Sequence, residues 1–339
     1  MSRPSGDGHG DFPSGFHSDH TWRLLASSLS SRSDAIRMAC VLEATAPKVG
    51  NVHPGACFDD LTFADFVIAA GITADAMGRL RGVEEIGDAV WAAVAGSVRA
   101  TTTNVNLGIV LLLAPLLASE PDWDAVSESN PEVAWSTENR LRHWQASVER
   151  LLERIDLQQG AMIAKAISGA SAGGLDADSL DEGLIHEGAL GKDRSLDVNR
   201  ENNGSYDILA AMRLAADRDR IARQYAEGYR DLFEVVVPTI QDRVARTGDV
   251  LTGIVNAHIT LIAGEGDSLI ARKGGQAASR KAAGWARDCL AAINGSDGVQ
   301  VAKQIQTLDR QLRSDGNRLN PGTSADLIAA ALFVLLRVV

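Results

Sequence analysis

The stretch Asn320-Pro321-Gly322-Thr323-Ser324-Ala325-Asp326 sets turn residues, two hydroxyls and a carboxylate directly ahead of an apolar run over 327–339. Asn-Pro-Gly makes a turn, Thr323 or Ser324 is placed to cap a helix, and Asp326 falls in its first turn. Free N–H groups at such a start suit an anion; a well-made helix start without a ligand carries the same letters. Glu43 is a second candidate. It falls on a helical stripe with Ile36, Ala39 and Cys40, where a carboxylate loses water and needs a cation or donor. A Glu that edges the stripe and stays wet is the plain alternative. Lys48 and His53 follow in the next loop.

Three further groups have chemical potential. Asp59, Asp60 and Asp65 lie among Phe58, Phe63 and Phe66, a carboxylate set suited to Mg²⁺ shared with substrate phosphates; capping by Asp60 and a solvated Asp65 explain them as well. Asn104 and Asn106, with Gly108, open a strongly apolar helix and can bond a base edge, a ribose or a phosphate. Capping accounts for Asn104 but not for Asn106. Arg272 and Lys273 precede Gly274-Gly275, a candidate polyphosphate cradle that lacks the GxxxxGK[ST] pattern. A solvated basic turn reads the same way. His258 shares a stripe with Leu251, Ile254, Val255 and Leu261 and reads as a core histidine.

The elements that must position these groups are helices. Apolar spacing predicts them over 33–46, 62–77, 84–99, 106–117, 141–155, 206–216, 218–246, 250–263, 276–293, 299–313 and the terminal run. Pro47 stops the first. Residues 121–139 read as a surface connection. Residues 168–205, rich in Gly, Asp and Ser, read as a lid or substrate loop that ends in Arg200-Glu201-Asn202-Asn203-Gly204. No alternating strand pattern and no internal repeat is visible, so an all-α, multi-helix globular bundle is expected.

Composition agrees with that expectation. The chain has 339 residues, 45% hydrophobic but only 5% aromatic, a balance that favours helix over sheet. Residues 1–20 read as a disordered tail without a signal peptide's apolar segment, and 21–339 as a single domain. The net charge of −11 argues against nucleic-acid and acidic-membrane partners, and no run is long enough to span a bilayer. Cys40, Cys57 and Cys289 are far apart, as in a reduced, cytoplasmic protein. A homo-oligomer is compatible with the sequence.

The same residues resemble a known family. Glu43-x-x-x-Pro47-Lys48-x-Gly50-x-Val52 is similar to the E-x-x-x-P-K-P-G-x-V signature of the triphosphoribosyl-dephospho-CoA synthases, and the acidic stretch at Asp59, Asp60 and Asp65 to the family's next segment. Thr103-Asn104-x-Asn106-x-Gly108 resembles N-T-H-K-G, and Asp267-x-x-Ile270-x-Arg272-Lys273-Gly274-Gly275 a late D-T-x-(I/L)-x-x-(R/H)-x-G segment. The ending at Asn320–Leu327 resembles N-P-G-G-S-A-D-L. The matches keep family order from about residue 33 to the end. Asn106 and Leu107 stand where the family has His-Lys, and Val49, His53 and Cys57 also depart from it, as in a divergent branch.

The resemblance implies a transferase that takes ATP and dephospho-CoA. The 2′-hydroxyl of dephospho-CoA attacks the anomeric carbon of ATP, adenine leaves, and the triphosphate stays on the transferred ribose of a prosthetic-group precursor. Glu43 and Asp326 would be the catalytic carboxylates, in either order. Lys48, Asn104, Asn106, Arg272, Lys273, Asn320 and Ser324 would bind substrate, with Mg²⁺ on Asp59, Asp60 and Asp65. One cleft should gather Glu43, Asn104, Arg272, Ser324 and Asp326, with Lys48, Arg272 and Lys273 as its positive wall. The residues alone also allow a ribosyl transferase of another cofactor pathway, or a helical nucleotide-binding protein without catalysis.

Overall fold

The computed structural model describes residues 14–103, 105–133, 135–172, 204–295 and 298–339. Asn104 and most of the expected lid, 173–203, lie outside them. Among the described residues there are helices and two isolated bridges, His53 to Ala56 and Phe58 to Leu61. The fold is all-α.

The apolar run after Asn-Pro-Gly becomes the central helix. It spans Gly322–Val338, and nearly all its side chains are buried, Asp326 and Arg337 being partial exceptions. A helix apolar all round must be enclosed on every side. The helices around it, in chain order, are α1 (Ser14–Ser27), α2 (Arg32–Thr45), α3 (Phe63–Met77), α4 (Ile86–Thr101), α5 (Leu107–Ser119), α6 (Trp123–Ser129), α7 (Thr137–Leu152) and α8 (Leu157–Ala172). After the undescribed segment come α9 (Ile208–Ala215), α10 (Arg220–Ala226), α11 (Val237–Thr247), α12 (Val250–Glu265), α13 (Ser268–Gly274), α14 (Gln276–Gly295) and α15 (Gly298–Leu312). The central helix is thus α16; it packs on α1, α2, α5, α11 and α12. No helix among the described residues is long and apolar enough to cross a membrane.

Helix α5 is the second buried rod. Pro115 lies inside it and has no N–H to give the Leu111 carbonyl. Tyr225 Oη donates to that carbonyl at 2.7 Å, and Tyr229 Oη donates to the Leu112 carbonyl at 3.0 Å. The single helix expected over 218–246 is therefore broken. Gly228 and Tyr229 both take positive φ, 62° and 61°, which turns the fully buried Tyr229 toward α5. A short π-helical turn, Leu232–Val236, follows before α11.

Other expectations change in detail. Helix α1 takes in residues 14–20, which the sequence assigns to the tail. Residues 121–139 contain α6, capped by Asp122. Helix α8 is missing from the sequence reading and covers 168–172 of the expected lid. The Arg272-Lys273 stretch is the end of helix α13, not an open loop.

Candidate active site

Pro47 ends α2, and the chain turns at once so that Lys48 folds back under its last turn. Lys48 is fully buried. Its Nζ donates to Glu43 Oε1 at 2.8 Å and also to the Glu43 carbonyl. The other oxygen, Glu43 Oε2, is buried and has no partner among the described residues. Gly50, at φ 73°, then brings the loop onto α15 and the start of α16; a Cβ there would lie 2.8 Å from Leu312 and 2.9 Å from Pro321. Asn51 Nδ2 donates to Asn320 Oδ1 at 2.6 Å.

Helix α16 does not cap itself. Pro321 stands at its N-cap with no side-chain bond, and Thr323 and Ser324 lie inside the first turn. The cap comes from another element. Asp267 Oδ2 accepts from Ser324 N at 2.7 Å and from Ser324 Oγ at 2.8 Å, while its Oδ1 caps α13 through Leu269 N and Ile270 N. One buried carboxylate thus starts two helices. Burial pushes the Asp267 acid above the usual carboxylate range, against the pull of these bonds.

Asp326 is held differently. It follows the capped turn of α16 and rests against α5 where that helix has no side chain: a Cβ on Gly108 would lie 2.1 Å from Asp326 Oδ2. No cation among the described residues forms an ion pair with it. Desolvation, followed by the charges of Glu43 and Asp267, pushes its acid well above the ordinary range; Arg272 pulls the other way and Asp219 adds to the rise. Two carboxylates that cannot both shed charge into water are a recurrent feature of catalytic sites.

Glu43, Asn51, Asn320 and Asp326 border one cavity of about 330 Å³, within the size range of small-molecule sites. Glu43, Asp326, Asp219, Arg272, Lys273, Asn51, Asn317 and Asn320 form its polar part. Val52, Leu61, Phe66, Leu107, Ile109, Ile167, Met212, Ile221 and Leu269 form its apolar part. The first residues of α5, α10 and α16 line it beside the two cations. Arg272 Nη1 lies 3.7 Å from Asp219 Oδ2, whose other oxygen caps α10. Lys273 Nζ donates to Asn317 Oδ1 at 3.1 Å, and Asn320 Nδ2 donates to the same oxygen at 3.2 Å. Burial and the neighbouring Arg272 lower the Lys273 pKa; Asp60 and Asp267 act in the opposite direction.

Of the predicted residues, Glu43, Asp326, Arg272, Lys273 and Asn320 meet at this cavity. Four others do not serve as expected. Lys48 is behind Glu43 instead of on a positive wall. Ser324 turns to Asp267. Asn106 is buried with Nδ2 donating to Thr73 Oγ1 at 2.5 Å and to the Ala69 carbonyl at 3.4 Å. Asp65 closes a capping box, accepting from Thr62 N and Oγ1 at 2.8 Å. Asp59 and Asp60 are exposed on the loop before α3, and no three His, Cys, Asp or Glu among the described residues gather as a metal set. Asn51, Asp219 and Asn317 were not foreseen. Asp219 looks in sequence like the other capping aspartates, Asp122, Asp207 and Asp249.

The ATP:dephospho-CoA triphosphoribosyl transferase (CitG) family matches residues 29–338. The chain belongs to this family. Its activity is the transfer of the triphosphoribosyl group of ATP to dephospho-CoA. Among solved structures, the chain is similar to a protein from Archaeoglobus fulgidus described as a triphosphoribosyl-dephospho-CoA synthase. The TM-score is 0.53 at 21% identity, over 79% of this chain and 97% of that one; that likeness speaks for the shared fold. No curated protein matches the chain. Within the family pattern, Leu107 lines the cavity where a lysine is usual, and Asn106 faces the core.

Proposed function

We propose that the triphosphoribosyl transfer takes place in this cavity, with the anomeric carbon of ATP between Glu43 and Asp326. The observation that carries this reading is the meeting of two carboxylates from helices at opposite ends of the chain beside Arg272 and Lys273. The triphosphate fits the cationic end, near Arg272, Lys273 and the start of α16, where charge-assisted bonds and helix dipoles act together. The apolar part suits the adenine ring. A glycosyl transfer through an oxocarbenium-like state needs a negative group near the anomeric carbon and a base for the attacking hydroxyl.

Mg²⁺ would come with the triphosphate. Asp65 is committed to its cap, so the exposed Asp59 and Asp60 are the residues of the predicted set left to meet it, and the charge of Asp60 already reaches Lys273. When bound, the ion would neutralise phosphate charge and orient the chain of phosphates. The three cysteines are free, which suits a reducing cytoplasmic setting. The test is an incubation with ATP, Mg²⁺ and dephospho-CoA followed by mass spectrometry. Adenine release that depends on the acceptor, with a product heavier by the triphosphoribosyl group, is expected. Intact ATP and unmodified acceptor would overturn the reading.

A further inference from the structure

The two carboxylates are not equivalent. Glu43 has Oε1 occupied by the ammonium of Lys48, while Oε2 is buried, unpartnered among the described residues and on a residue that lines the cavity. An oxygen so placed offers a lone pair to a ligand's O–H. Asp326 has the opposite surroundings. No ammonium or guanidinium pairs with it among the described residues, the Gly108 Cα backs its Oδ2, and Arg272 lies against Asp219. The charges that face Asp326 come from several elements. Glu43 faces it from α2, Asp267 from the cap of α13 and Asp219 from the cap of α10, while Arg272 opposes them. The Cys40 thiol beside it is itself pushed up, by burial and then by Glu43 and Asp326.

Resting on the transfer placed in this cavity, we propose that Asp326 is the general acid and Glu43 the general base of the reaction. The acceptor's 2′-hydroxyl gives its proton to Glu43 Oε2 as its oxygen forms the bond to the anomeric carbon. The bond from that carbon to the adenine nitrogen breaks, its electron pair leaves with the base, and Asp326 supplies a proton to the departing ring. Adenine leaves neutral, Glu43 ends protonated and Asp326 ionised. The two groups border one cavity, so the proton returns from Glu43 to Asp326 when products leave, and no other reactant is required. Lys48 is a positioning residue here: it fixes Oε1 and thereby turns Oε2 to the ligand.

The division of roles is tested with two donors. ATP has a leaving group that needs a proton; 4-nitrophenyl ribofuranoside triphosphate has one that departs as a stable anion. Asp326→Asn should lose roughly a hundredfold or more with ATP and less than about tenfold with the nitrophenyl donor. Glu43→Gln should be impaired with both. In the unaltered protein, the rate with ATP should fall as pH rises and Asp326 ionises, and that alkaline limb should be missing with the nitrophenyl donor. The donor comparison reads the same property if the Asn variant does not fold. Equal losses with both donors, rescue of Glu43→Gln in place of Asp326→Asn, or an alkaline limb common to both donors overturns the assignment. Unaltered protein that releases no adenine from ATP and dephospho-CoA removes the underlying reading instead.

Discussion

At the residue scale, Gly108 gives the sharpest test of where Asp326 stands. Gly108→Ala would place a methyl group 2.1 Å from Asp326 Oδ2 and 2.7 Å from Ile221 Cδ1, so the carboxylate must swing away. The helix gains less than the interior Gly-to-Ala difference of about 1 kcal/mol, because Gly108 is the second residue of α5, against a crowding cost of about 1–3 kcal/mol. Activity should therefore fall at least roughly tenfold while stability changes little, a pair of results read from kcat and thermal melting. Full activity would show that Asp326 works from another position. Arg272→Ala should weaken ATP by roughly tenfold to a hundredfold, from a charged contact worth about 1.5–3 kcal/mol. AMP should lose less, and titration of both nucleotides with Mg²⁺ compares them; equal losses would take Arg272 off the outer phosphates. Glu43 stood out in the sequence because a carboxylate on a buried stripe is costly without a partner, and Asp326 because it opens the helix after Asn-Pro-Gly. For Lys48, Ser324 and Asn106, letters give proximity but not direction. Each turns to a partner that only the folded chain supplies: Glu43, Asp267 and Thr73.

At the element scale, the helices were legible from their spacing, but their breaks were not. The 218–246 segment keeps its apolar period through Gly228 and Tyr229, yet the positive φ of both residues interrupts it and turns Tyr229 toward α5, which lacks one backbone donor. Pro115 withholds one, and Tyr225 supplies it to the Leu111 carbonyl. Tyr225→Phe should accordingly cost about 1–3 kcal/mol, because the buried Leu111 carbonyl then keeps only the long bond from Tyr229 Oη, at 3.4 Å. In a Pro115→Ala background the backbone gains an N–H at that position which can reach the same carbonyl, and the Tyr225→Phe change should then cost under about 1 kcal/mol. Denaturant unfolding of the four proteins in this cycle measures the coupling. An unchanged cost would mean that Tyr225 stabilises α5 by packing alone. Asp267 gives a parallel case. It caps its own helix, as its sequence position suggests, and also α16, which lies 57 positions further on in its bond to Ser324. Local reading finds the first role and cannot find the second. Asp267→Ala removes two caps worth about 0.5–2 kcal/mol each. It should also disturb Asp326, so its activity loss should exceed that of Asp249→Ala, which caps α12; equal losses would separate the cap from the site.

At the scale of the whole molecule, the all-α class was clear in the sequence because helical apolar spacing recurs along the chain and no alternating strand pattern competes with it. The sequence did not show that the site end of the bundle is built over buried charge. Lys48 and His258 lie beneath the start of α16; His258 is fully buried, its Nε2 is 3.4 Å from the Pro321 carbonyl, and Nδ1 has no partner among the described residues. Burial first, and then the charge of Lys48, lowers the His258 pKa from 6.5 to about 3. Between those values the unfolded chain binds a proton that the folded protein refuses. Stability from this group is therefore complete above about 6.5, declines as the pH falls toward 3, and is constant below it. Asp326, Asp267 and Glu120 have raised acids and act with the opposite sign, so the total slope mixes both effects. A comparison with His258→Gln isolates the histidine. The unaltered protein should lose up to about 1.4 kcal/mol more per pH unit than the variant across that window, measured by urea unfolding at a series of pH values. Parallel slopes would mean that His258 accepts its proton without unfolding.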